Sequence, residues 1–198
     1  MSKIVLASNN SHKIKEFSKI LGEENIEIVP QSKLGIPEAE ETGLTFLENS
    51  IIKARNASLL SKLPAIADDS GIEVDALNGR PGIYSARYAG LDCNDIANNE
   101  LLLKELKDIP SPLRTARYHC TIVYLLSYDH PVPKIYNATW EGYIGTQEIG
   151  KNGFGYDPLF YLPDYKCTAA ELTESVKNTI SHRGQALKTF KEEFIINT

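Results

Sequence analysis

The sequence predicts an α/β fold, and three observations support that prediction. A buried strand at residues 3–7 leads through a polar turn into a helix. The apolar run at residues 65–67 ends in two adjacent carboxylates, and two long segments of alternating polarity follow at residues 115–126 and 134–144. Strands that alternate with helical segments in this way are typical of a sheet covered by helices.

The first strand leads into a candidate anion site. Ser11 is the predicted N-cap of a helix that begins at about His12 and stops at Gly22. The unpaired amides and the positive end of the helix dipole favour an anion there, and Lys13 adds a positive charge in the first turn. The glycines and the Gly-Lys-Ser/Thr ending of a Walker sequence are missing. A capped helix with one surface lysine is the alternative interpretation.

The next segment combines a strand, an acidic loop and a helix. Residues 26–29 alternate in polarity as a second strand should. The loop that follows carries Glu40 and Glu41, and residues 45–60 are predicted to form a helix opened by a capping box. Acids ahead of a helix N-terminus also complement its dipole, so the two glutamates have a structural explanation as well. Lys53, two turns into this helix, is expected to be solvated.

The Asp68-Asp69 pair is the first candidate for a metal site, because a buried strand seldom ends in adjacent carboxylates unless a site lies there. Successive side chains on an extended backbone point to opposite faces, so at most one of the two carboxylates is expected to face a ligand squarely. Gly71 lets the chain turn or approach a ligand closely. Asp-Asp-Ser-Gly is also acceptable turn chemistry between two strands.

The middle of the chain contains a long loop, a helix and a strand pair. Residues 79–90 are glycine-rich and aromatic, and a long ordered loop of this kind is more often a functional segment than a connector. Residues 95–106 are predicted to form a helix whose inner face carries Ile96, Leu102, Leu103 and Leu106. Residues 115–126 and 134–144 are predicted to form an antiparallel pair, with His119 as a structural strand residue.

A second unusual loop spans residues 150–158. Phe154 and Tyr156 sit between glycines, where a flexible backbone can present a flat ring to a nucleobase. Residues 168–171 form another possible capping box, ahead of a helix that carries Lys177.

The last helix is predicted to begin after Ser181, which places His182 and Arg183 in its first turn. Cations at a helix N-terminus oppose the dipole, so the pair needs a compensating anion or acceptor. Both residues are therefore candidate ligand contacts. Pairing of Arg183 with a carboxylate elsewhere in the chain is the alternative.

Composition and charge limit the classes of function. A chain of 198 residues, 42% hydrophobic and 24% charged, suits one soluble globular domain with room for two lobes. A net charge of −5 argues against binding a nucleic acid polymer, but it allows a small polyanion held through a metal and a few lysines. No segment resembles a targeting peptide or a membrane span, so a cytoplasmic location is expected. Cys93, Cys120 and Cys167 lack zinc-ligand spacing and are expected to be reduced thiols.

Six motifs, in their order along the chain, resemble one known family. They are Ser8-Asn9-Asn10-Ser11-His12-Lys13, Glu40-Glu41-Thr42-Gly43-Leu44-Thr45-Phe46-Leu47-Glu48-Asn49, Ala67-Asp68-Asp69-Ser70-Gly71, Pro81-Gly82-Ile83-Tyr84-Ser85-Ala86-Arg87-Tyr88, Phe154-Gly155-Tyr156-Asp157-Pro158 and Ser181-His182-Arg183-Gly184. The chain closely resembles the Ham1/RdgB family of inosine and xanthosine triphosphate pyrophosphatases over nearly its whole length.

This resemblance implies the fold, the assembly and the reaction. The implied fold is an elongated, two-lobed Ham1/Maf-like α/β fold, with a mixed, twisted β-sheet flanked by helices and the active-site cleft between the lobes. Residues 1–198 would form a single domain, most family members being homodimers. The implied reaction is Mg²⁺-dependent hydrolysis of a purine nucleoside triphosphate to the monophosphate and pyrophosphate, in the cytoplasm.

The resemblance also assigns site residues. The triphosphate would be held by Ser8, Asn9, Asn10, Ser11, His12 and Lys13. Asp69 would bind the metal and act as general base, and Glu40 or Glu41 would be a further metal ligand. The nucleotide would be contacted by Ser70, Phe154, Gly155, Tyr156, Asp157, Lys177, His182 and Arg183, the last of which are placed to read the base.

The first loop departs from the family pattern. That loop often reads Thr/Ser-Gly-Asn-x-Gly-Lys, whereas this chain has Asn9 and His12 at the two glycine positions. Asparagine tolerates left-handed backbone angles, so Asn9 is expected to be harmless. His12 is expected to alter the phosphate loop slightly.

Two other functions fit the same motifs. One is a non-catalytic nucleotide sensor on the same fold, which the intact Asp68-Asp69 pair disfavours. The other is a pyrophosphatase for modified pyrimidine nucleotides, as in the related Maf-like fold. A panel of nucleoside triphosphates with pyrophosphate detection distinguishes the three.

Overall fold

The computed structural model describes residues 2–22, 26–92 and 94–196, and it confirms the predicted α/β fold with a mixed sheet. The strands in this part of the chain are β1 (Ser2–Leu6), β2 (Ile26–Pro30), β3 (Ala65–Val74), β4 (Thr115–Leu125), β5 (Lys134–Ile144), β6 (Phe160–Leu162) and β7 (Cys167–Thr168). They form one sheet in the order β2-β1-β3-β4-β5-β6-β7. Strand β1 pairs in parallel with β2 and β3, and β6 pairs antiparallel with β5 and β7.

Helices accompany this sheet, as the alternation of elements predicts. They are α1 (Ser11–Leu21), α2 (Phe46–Ser61), α3 (Asp95–Glu105), α4 (Glu174–Ile180) and α5 (His182–Ile196). Short 3₁₀ turns add to them, among them Gly82–Arg87 in the first glycine-rich loop and Ala169–Glu171. The predicted capping box at residues 168–171 caps that second 3₁₀ turn, whereas α4 begins after its own N-cap, Thr173.

The caps of the first two helices show one correction. The N-cap of α1 is Asn10 rather than the predicted Ser11, because the Asn10 Oδ1 accepts hydrogen bonds from the amides of His12 and Lys13 at 3.0 and 3.1 Å. Helix α2 begins as predicted, since the Thr45 hydroxyl accepts from the Glu48 amide at 3.1 Å.

Strand β3 is longer than the sequence suggests. The predicted strand is the apolar run at residues 65–67, which finishes in the Asp68-Asp69 pair. The observed strand runs on to Val74, so that Asp68, Asp69 and Ser70 lie inside it. The turn interpretation of Asp-Asp-Ser-Gly is therefore wrong. Both aspartates are buried, with 1% and 6% of their surface exposed. Buried carboxylates require cationic or hydrogen-bonding partners, which makes this strand the place to look for a site.

Helix α3 follows its predicted bounds, and its predicted inner face is confirmed for Leu102, Leu103 and Leu106 but wrong for Ile96. Leu102 and Leu106 are buried, whereas Ile96 is 67% exposed. Ile96 precedes Leu102 by six residues, which turns it roughly 120° round the helix from that side chain. The inner face in the first half of α3 carries Asn98 and Asn99 instead, both of them buried.

The chain divides into two compact units. The first comprises the described residues of Met1–Asp69, Cys120–Ala138 and Arg183–Thr198. Its core contains the fully buried rings of Phe17 and Phe190.

The second unit comprises the described residues of Ser70–His119 and Thr139–His182. Its core contains Ile72, Leu102 and Phe160, all fully buried. His119 lies in β4 as predicted, where its Nε2 is 2.9 Å from Glu73 Oε2.

Two other expectations concern cysteines and membranes. Cys120 and Cys167 are free thiols, and Cys93 lies outside the described residues. No helix within residues 2–22, 26–92 and 94–196 has the length and apolar character to span a membrane.

Candidate functional site

A set of buried ion pairs surrounds the two aspartates of β3, and we call it the carboxylate network: Lys13, Glu16, Glu41, Lys53, Asp68, Asp69 and Arg183. All seven residues belong to the first unit. Asp68 accepts from Arg183 Nε at 3.0 Å and lies 2.9 Å from Lys13 Nζ. The Cys120 thiol, on β4, donates to the same carboxylate at 3.1 Å. One aspartate thus receives partners from α1, β4 and α5.

Arg183 joins two carboxylates rather than standing alone in the first turn of α5. Its Nη1 donates to Glu16 Oε2 at 2.7 Å, and its Nη2 lies 3.0 Å from Asp68 Oδ2. Burial would raise the pKa of Asp68, but Arg183 and Lys13 hold that pKa far below its ordinary value. The ionised form of Asp68 is therefore favoured within this buried ion network. These contacts confirm the alternative interpretation, in which Arg183 pairs with a carboxylate elsewhere in the chain.

Asp69 has a different set of partners. Its Oδ1 accepts from Lys53 Nζ at 2.8 Å, and the same ammonium donates to Glu41 Oε1 at 2.9 Å. The expectation that Lys53 is solvated is therefore wrong, since it bridges two carboxylates. Burial raises the pKa of Asp69 above its ordinary value, although Lys53 opposes the shift. A carboxylate with a raised pKa is a stronger proton acceptor, which suits general-base chemistry.

Asn49 is a site residue that the sequence reasoning missed. It is fully buried in α2, where its Nδ2 lies 3.4 Å from Asp69 Oδ2 and its Oδ1 accepts from the Gly43 amide at 2.8 Å. It thereby connects Asp69 to the loop that carries Glu41. Asn49 and Lys53 lie four residues apart and so share one face of α2. Two polar residues on a buried helix face are a sequence signal that could have identified both as site candidates.

The donor set at Asp69 fits a magnesium ion shared with a substrate. The Glu41 and Asp69 carboxylates already converge on one cation, the Lys53 ammonium. Among the described residues no group of three or more His, Cys, Asp or Glu side chains could hold a metal. Mg²⁺ commonly takes one or two carboxylates and completes its shell with water and substrate phosphates. Glu40 is exposed and belongs to no ion pair in the described part of the chain, so Glu41 is the better-placed candidate.

The first loop accommodates its two unusual residues without strain. Neither Asn9 nor His12 has a positive φ, so the backbone does not require glycine at either position. Ser8, Asn9 and Asn10 precede α1, and the Ser8 hydroxyl accepts from the Asn10 amide at 3.2 Å. Because Asn10 already caps α1, the exposed Ser11 and His12 side chains are not needed for capping.

In the second unit, residues 150–158 form a turn-rich segment that we call the aromatic loop. Asp157 is buried and organises it: its Oδ2 accepts from the Phe154 amide at 2.8 Å and pairs with the Lys177 ammonium of α4. Lys177 Nζ also lies 4.9 Å from the centre of the Phe154 ring. These contacts bring the predicted residues Phe154, Asp157 and Lys177 together.

Tyr156 does not present its ring to a ligand, contrary to the sequence prediction. It is 4% exposed and packs in the second unit's core. Its hydroxyl donates to the Ser85 carbonyl at 2.7 Å. The Ser85 hydroxyl in turn accepts from the Ile72 amide at 2.8 Å. Tyr156 therefore anchors the aromatic loop, and Phe154, which is only partly buried, is its candidate stacking ring.

His182, also in the second unit, lies against an aromatic surface. Its ring stacks on Tyr118 with a centroid distance of 4.6 Å and an interplanar angle of 4°. Trp140 lies 6.3 Å from the same ring. The stack fixes the plane of the imidazole, so its nitrogens can donate or accept only in defined directions. Ser70, half-buried, follows Asp69 in β3.

Comparison with known families gives one result across the chain. Residues 4–193 match the model of the Ham1 family. A protein of Thioalkalivibrio sulfidiphilus named dITP/XTP pyrophosphatase is 55% identical over 190 residues, 96% of this chain and 97% of that protein. One of Photorhabdus laumondii with the same name is 52% identical over 188 residues, 95% of each.

Solved structures agree with this match. A HAM1 protein from Coxiella burnetii superposes with a TM-score of 0.91 at 45% identity, covering 99% of this chain and 100% of that one. The Staphylococcus aureus Ham1 protein gives a TM-score of 0.88 at 40% identity and covers all of both chains.

Proposed function

Because the chain belongs to the Ham1 family, we propose that it hydrolyses dITP, ITP and XTP to the monophosphate and pyrophosphate. It would be a hydrolase that removes noncanonical purine nucleotides from the nucleotide pool. The observation that supports this most directly is the pair of carboxylates, Asp69 and Glu41, that converge on one cation. The relatives named dITP/XTP pyrophosphatase supply the substrate class.

In the proposed reaction Asp69 is the general base. Its carboxylate accepts a proton from a water molecule that attacks the α-phosphorus, a P–O bond forms to that water, and the bond to the bridging oxygen breaks as pyrophosphate leaves. Lys53 and Asn49 hold the carboxylate in place. Mg²⁺, bound through Asp69 and Glu41, would neutralise phosphate charge.

The triphosphate is assigned to the start of α1. Lys13 supplies a cation, and the helix N-terminus supplies amides and a favourable dipole. Ser8, Asn9, Ser11 and His12 line this loop, while Asn10 is the cap and shapes it. The rigid pairing of Asp68 with Arg183 and Lys13 positions the strand from which Asp69 projects.

The base is assigned to residues of the second unit. Phe154 offers a stacking face, and Lys177 and Asp157 fix its surroundings. The His182 side chain is only 4% exposed, so a nitrogen at the edge of its ring would be the donor to the oxo group at purine position 6. Adenine presents an amino group there, and two facing donors cost about 1–3 kcal/mol. We do not assign Arg183 to base reading as the family resemblance implies, because its guanidinium is buried between Asp68 and Glu16.

A substrate panel tests the proposal. We expect the purified protein in Mg²⁺ to release pyrophosphate from dITP, ITP and XTP much faster than from ATP, GTP, dUTP or modified pyrimidine triphosphates. EDTA should abolish the release, and excess Mg²⁺ should restore it. Preference for a pyrimidine would favour the Maf-like function, and binding of dITP without any turnover would favour a sensor.

A matched pair of variants tests the choice of metal ligand. We expect Glu41→Gln to raise the Mg²⁺ concentration needed for half-maximal activity by about tenfold, the equivalent of one lost favourable contact. Glu40→Gln should leave that concentration unchanged, because Glu40 is exposed beside the network. Direct Mg²⁺ titration by calorimetry with a nonhydrolysable inosine nucleotide gives a second readout. Equal effects of the two substitutions would refute the assignment.

We propose a single functional domain, which the family match over residues 4–193 supports. We also propose a homodimer, on the family resemblance, and a cytoplasmic location, where free nucleotides are consumed. A net charge of −5 supports the view that the partner is a nucleotide and not a nucleic acid polymer.

A further inference from the structure

We propose that Asp95 and Asn99 of α3 are positioning residues that fix the aromatic loop for nucleotide binding. Together they hold both polar groups of Gly155: the Gly155 amide donates to Asp95 Oδ2 at 2.7 Å, and the Gly155 carbonyl accepts from Asn99 Nδ2 at 3.2 Å. This inference rests on the proposed function, because it concerns the loop to which the base is assigned.

The spacing of the two residues explains why they act as a pair. They lie four residues apart, so they occupy one face of α3 and project in the same direction. Helix α3 is anchored in the second unit's core, where Leu102 and the helix's C-cap residue, Leu106, are buried. A rigid element therefore contacts a glycine-rich segment at two points.

Gly155 needs such support. Its φ is +61°, a left-handed conformation in which glycine is favoured, and glycine also has more alternative conformations than other residues. Its neighbour Phe154 carries the candidate stacking ring, and the Phe154 amide is already held by Asp157 at 2.8 Å. With Gly155 held from outside the loop as well, the peptide on each side of the ring is fixed, and so is the direction of the ring.

The orientation of the Asn99 amide is determined by its surroundings. Its Nδ2 lies 2.7 Å from Glu148 Oε1 as well as 3.2 Å from the Gly155 carbonyl. Both neighbours are acceptors, so only the amide nitrogen can point toward them. An aspartate at this position would place its own carboxylate, a third acceptor, against the Glu148 carboxylate and the Gly155 carbonyl. Asparagine supplies the donor that both of these groups need.

Asn98, which directly precedes Asn99 in α3, extends the same function to the first glycine-rich loop. Asn98 Oδ1 accepts from the Ala89 amide at 2.7 Å, and Asn98 Nδ2 donates to the Ala86 carbonyl at 3.0 Å. That loop is also where the Tyr156 hydroxyl binds, at Ser85. The first half of α3 thus holds two loops whose sequences carry motifs of the family, although its own residues do not belong to any of them.

This arrangement predicts a specific kinetic signature. Loss of the Gly155 contacts should disorder the ring of Phe154 but leave Asp69, Glu41 and Lys53 unchanged, since those residues lie in the first unit. The KM for dITP should therefore rise while kcat stays close to its wild-type value. A loss of α3 stability alone would not raise KM while leaving kcat unchanged.

The experiment compares four variants with the wild type. We expect Asp95→Ala and Asn99→Ala each to raise the KM for dITP about five- to tenfold, consistent with one lost hydrogen bond, and to change kcat less than about twofold. Asp95→Asn keeps an acceptor for the Gly155 amide and should remain near the wild type. Asn94→Ala is the matched control, because it removes the N-cap of α3 without touching Gly155.

Hydrogen exchange at the Gly155 amide, followed by NMR, supplies a readout independent of turnover. It should accelerate in Asp95→Ala and stay slow in Asn94→Ala and Asp95→Asn. The inference is overturned if Asn94→Ala raises KM as much as Asp95→Ala, if Asp95→Asn behaves as Asp95→Ala, or if Gly155 exchange is the same in all of them. If the wild-type protein does not hydrolyse dITP, the proposed function is wrong, and so is the role of α3 in nucleotide binding. The exchange rates of the Gly155 amide would still show whether α3 holds the aromatic loop.

Discussion

Replacing Asp69 with asparagine should lower kcat for dITP by about 10³-fold, within the range expected when a general base is removed. The amide cannot accept the proton of the attacking water, and it is a weaker magnesium ligand than a carboxylate. Pyrophosphate release under saturating dITP and Mg²⁺ measures the effect. Binding of an inosine nucleotide should persist, since Phe154, Lys177 and His182 are unchanged.

We expect the Asp69→Asn protein to keep its fold. Burial raises the pKa of Asp69, so the ionised carboxylate is disfavoured in the folded state and a neutral amide is not expected to lower the free energy of unfolding. Asp75→Asn is the control, because Asp75 is an exposed carboxylate that pairs with Arg117. That variant should keep full turnover. An Asp69→Asn protein as active as the Asp75→Asn protein would remove Asp69 from the mechanism.

The second large effect concerns stability. We expect Arg183→Met to lower the free energy of unfolding by about 3–5 kcal/mol, the cost of breaking a buried ion pair by removing one partner. The substitution leaves Glu16 and Asp68 buried with a methionine in place of the guanidinium that both of them contact. Urea denaturation followed by circular dichroism gives the change in free energy.

Arg117→Met is the matched control for that experiment. Arg117 also joins two carboxylates, Asp75 and Glu141, but it does so at the surface, where their side chains are 46% and 65% exposed. Exposed ion pairs of this kind contribute about 0–1 kcal/mol. If the two arginine variants lose stability equally, burial of the carboxylate network is not what makes Arg183 important.

Local patterns predicted most of the fold. Strand β1, the cap at Thr45 and the long strands β4 and β5 all depend on neighbours a few residues apart, which a sequence displays directly. The prediction of Ser11 as the cap of α1 is wrong, because serine and asparagine both cap well and only the backbone conformation decides which of two neighbours does so.

Contacts between residues far apart in the sequence could not be predicted from local patterns. Arg183 meets Asp68 across 115 residues and Glu16 across 167, so no local spacing announces that these side chains pair. Lys53 was expected to be solvated for the same reason, although Asp69 lies only 16 residues away. Tyr156 was misassigned because a ring between glycines looks mobile until its hydroxyl is seen to bind Ser85.

The charges of the carboxylate network affect which form of the nucleotide can bind. Glu41 and Asp69 both face the single ammonium of Lys53, so two carboxylates and one cation lie where the metal is proposed to bind. These carboxylates would repel a triphosphate that carries no metal ion. They would attract a triphosphate to which the metal ion is already bound. The species that the protein recognises would then be the metal–nucleotide salt, and the free nucleotide would act as a poor competitor.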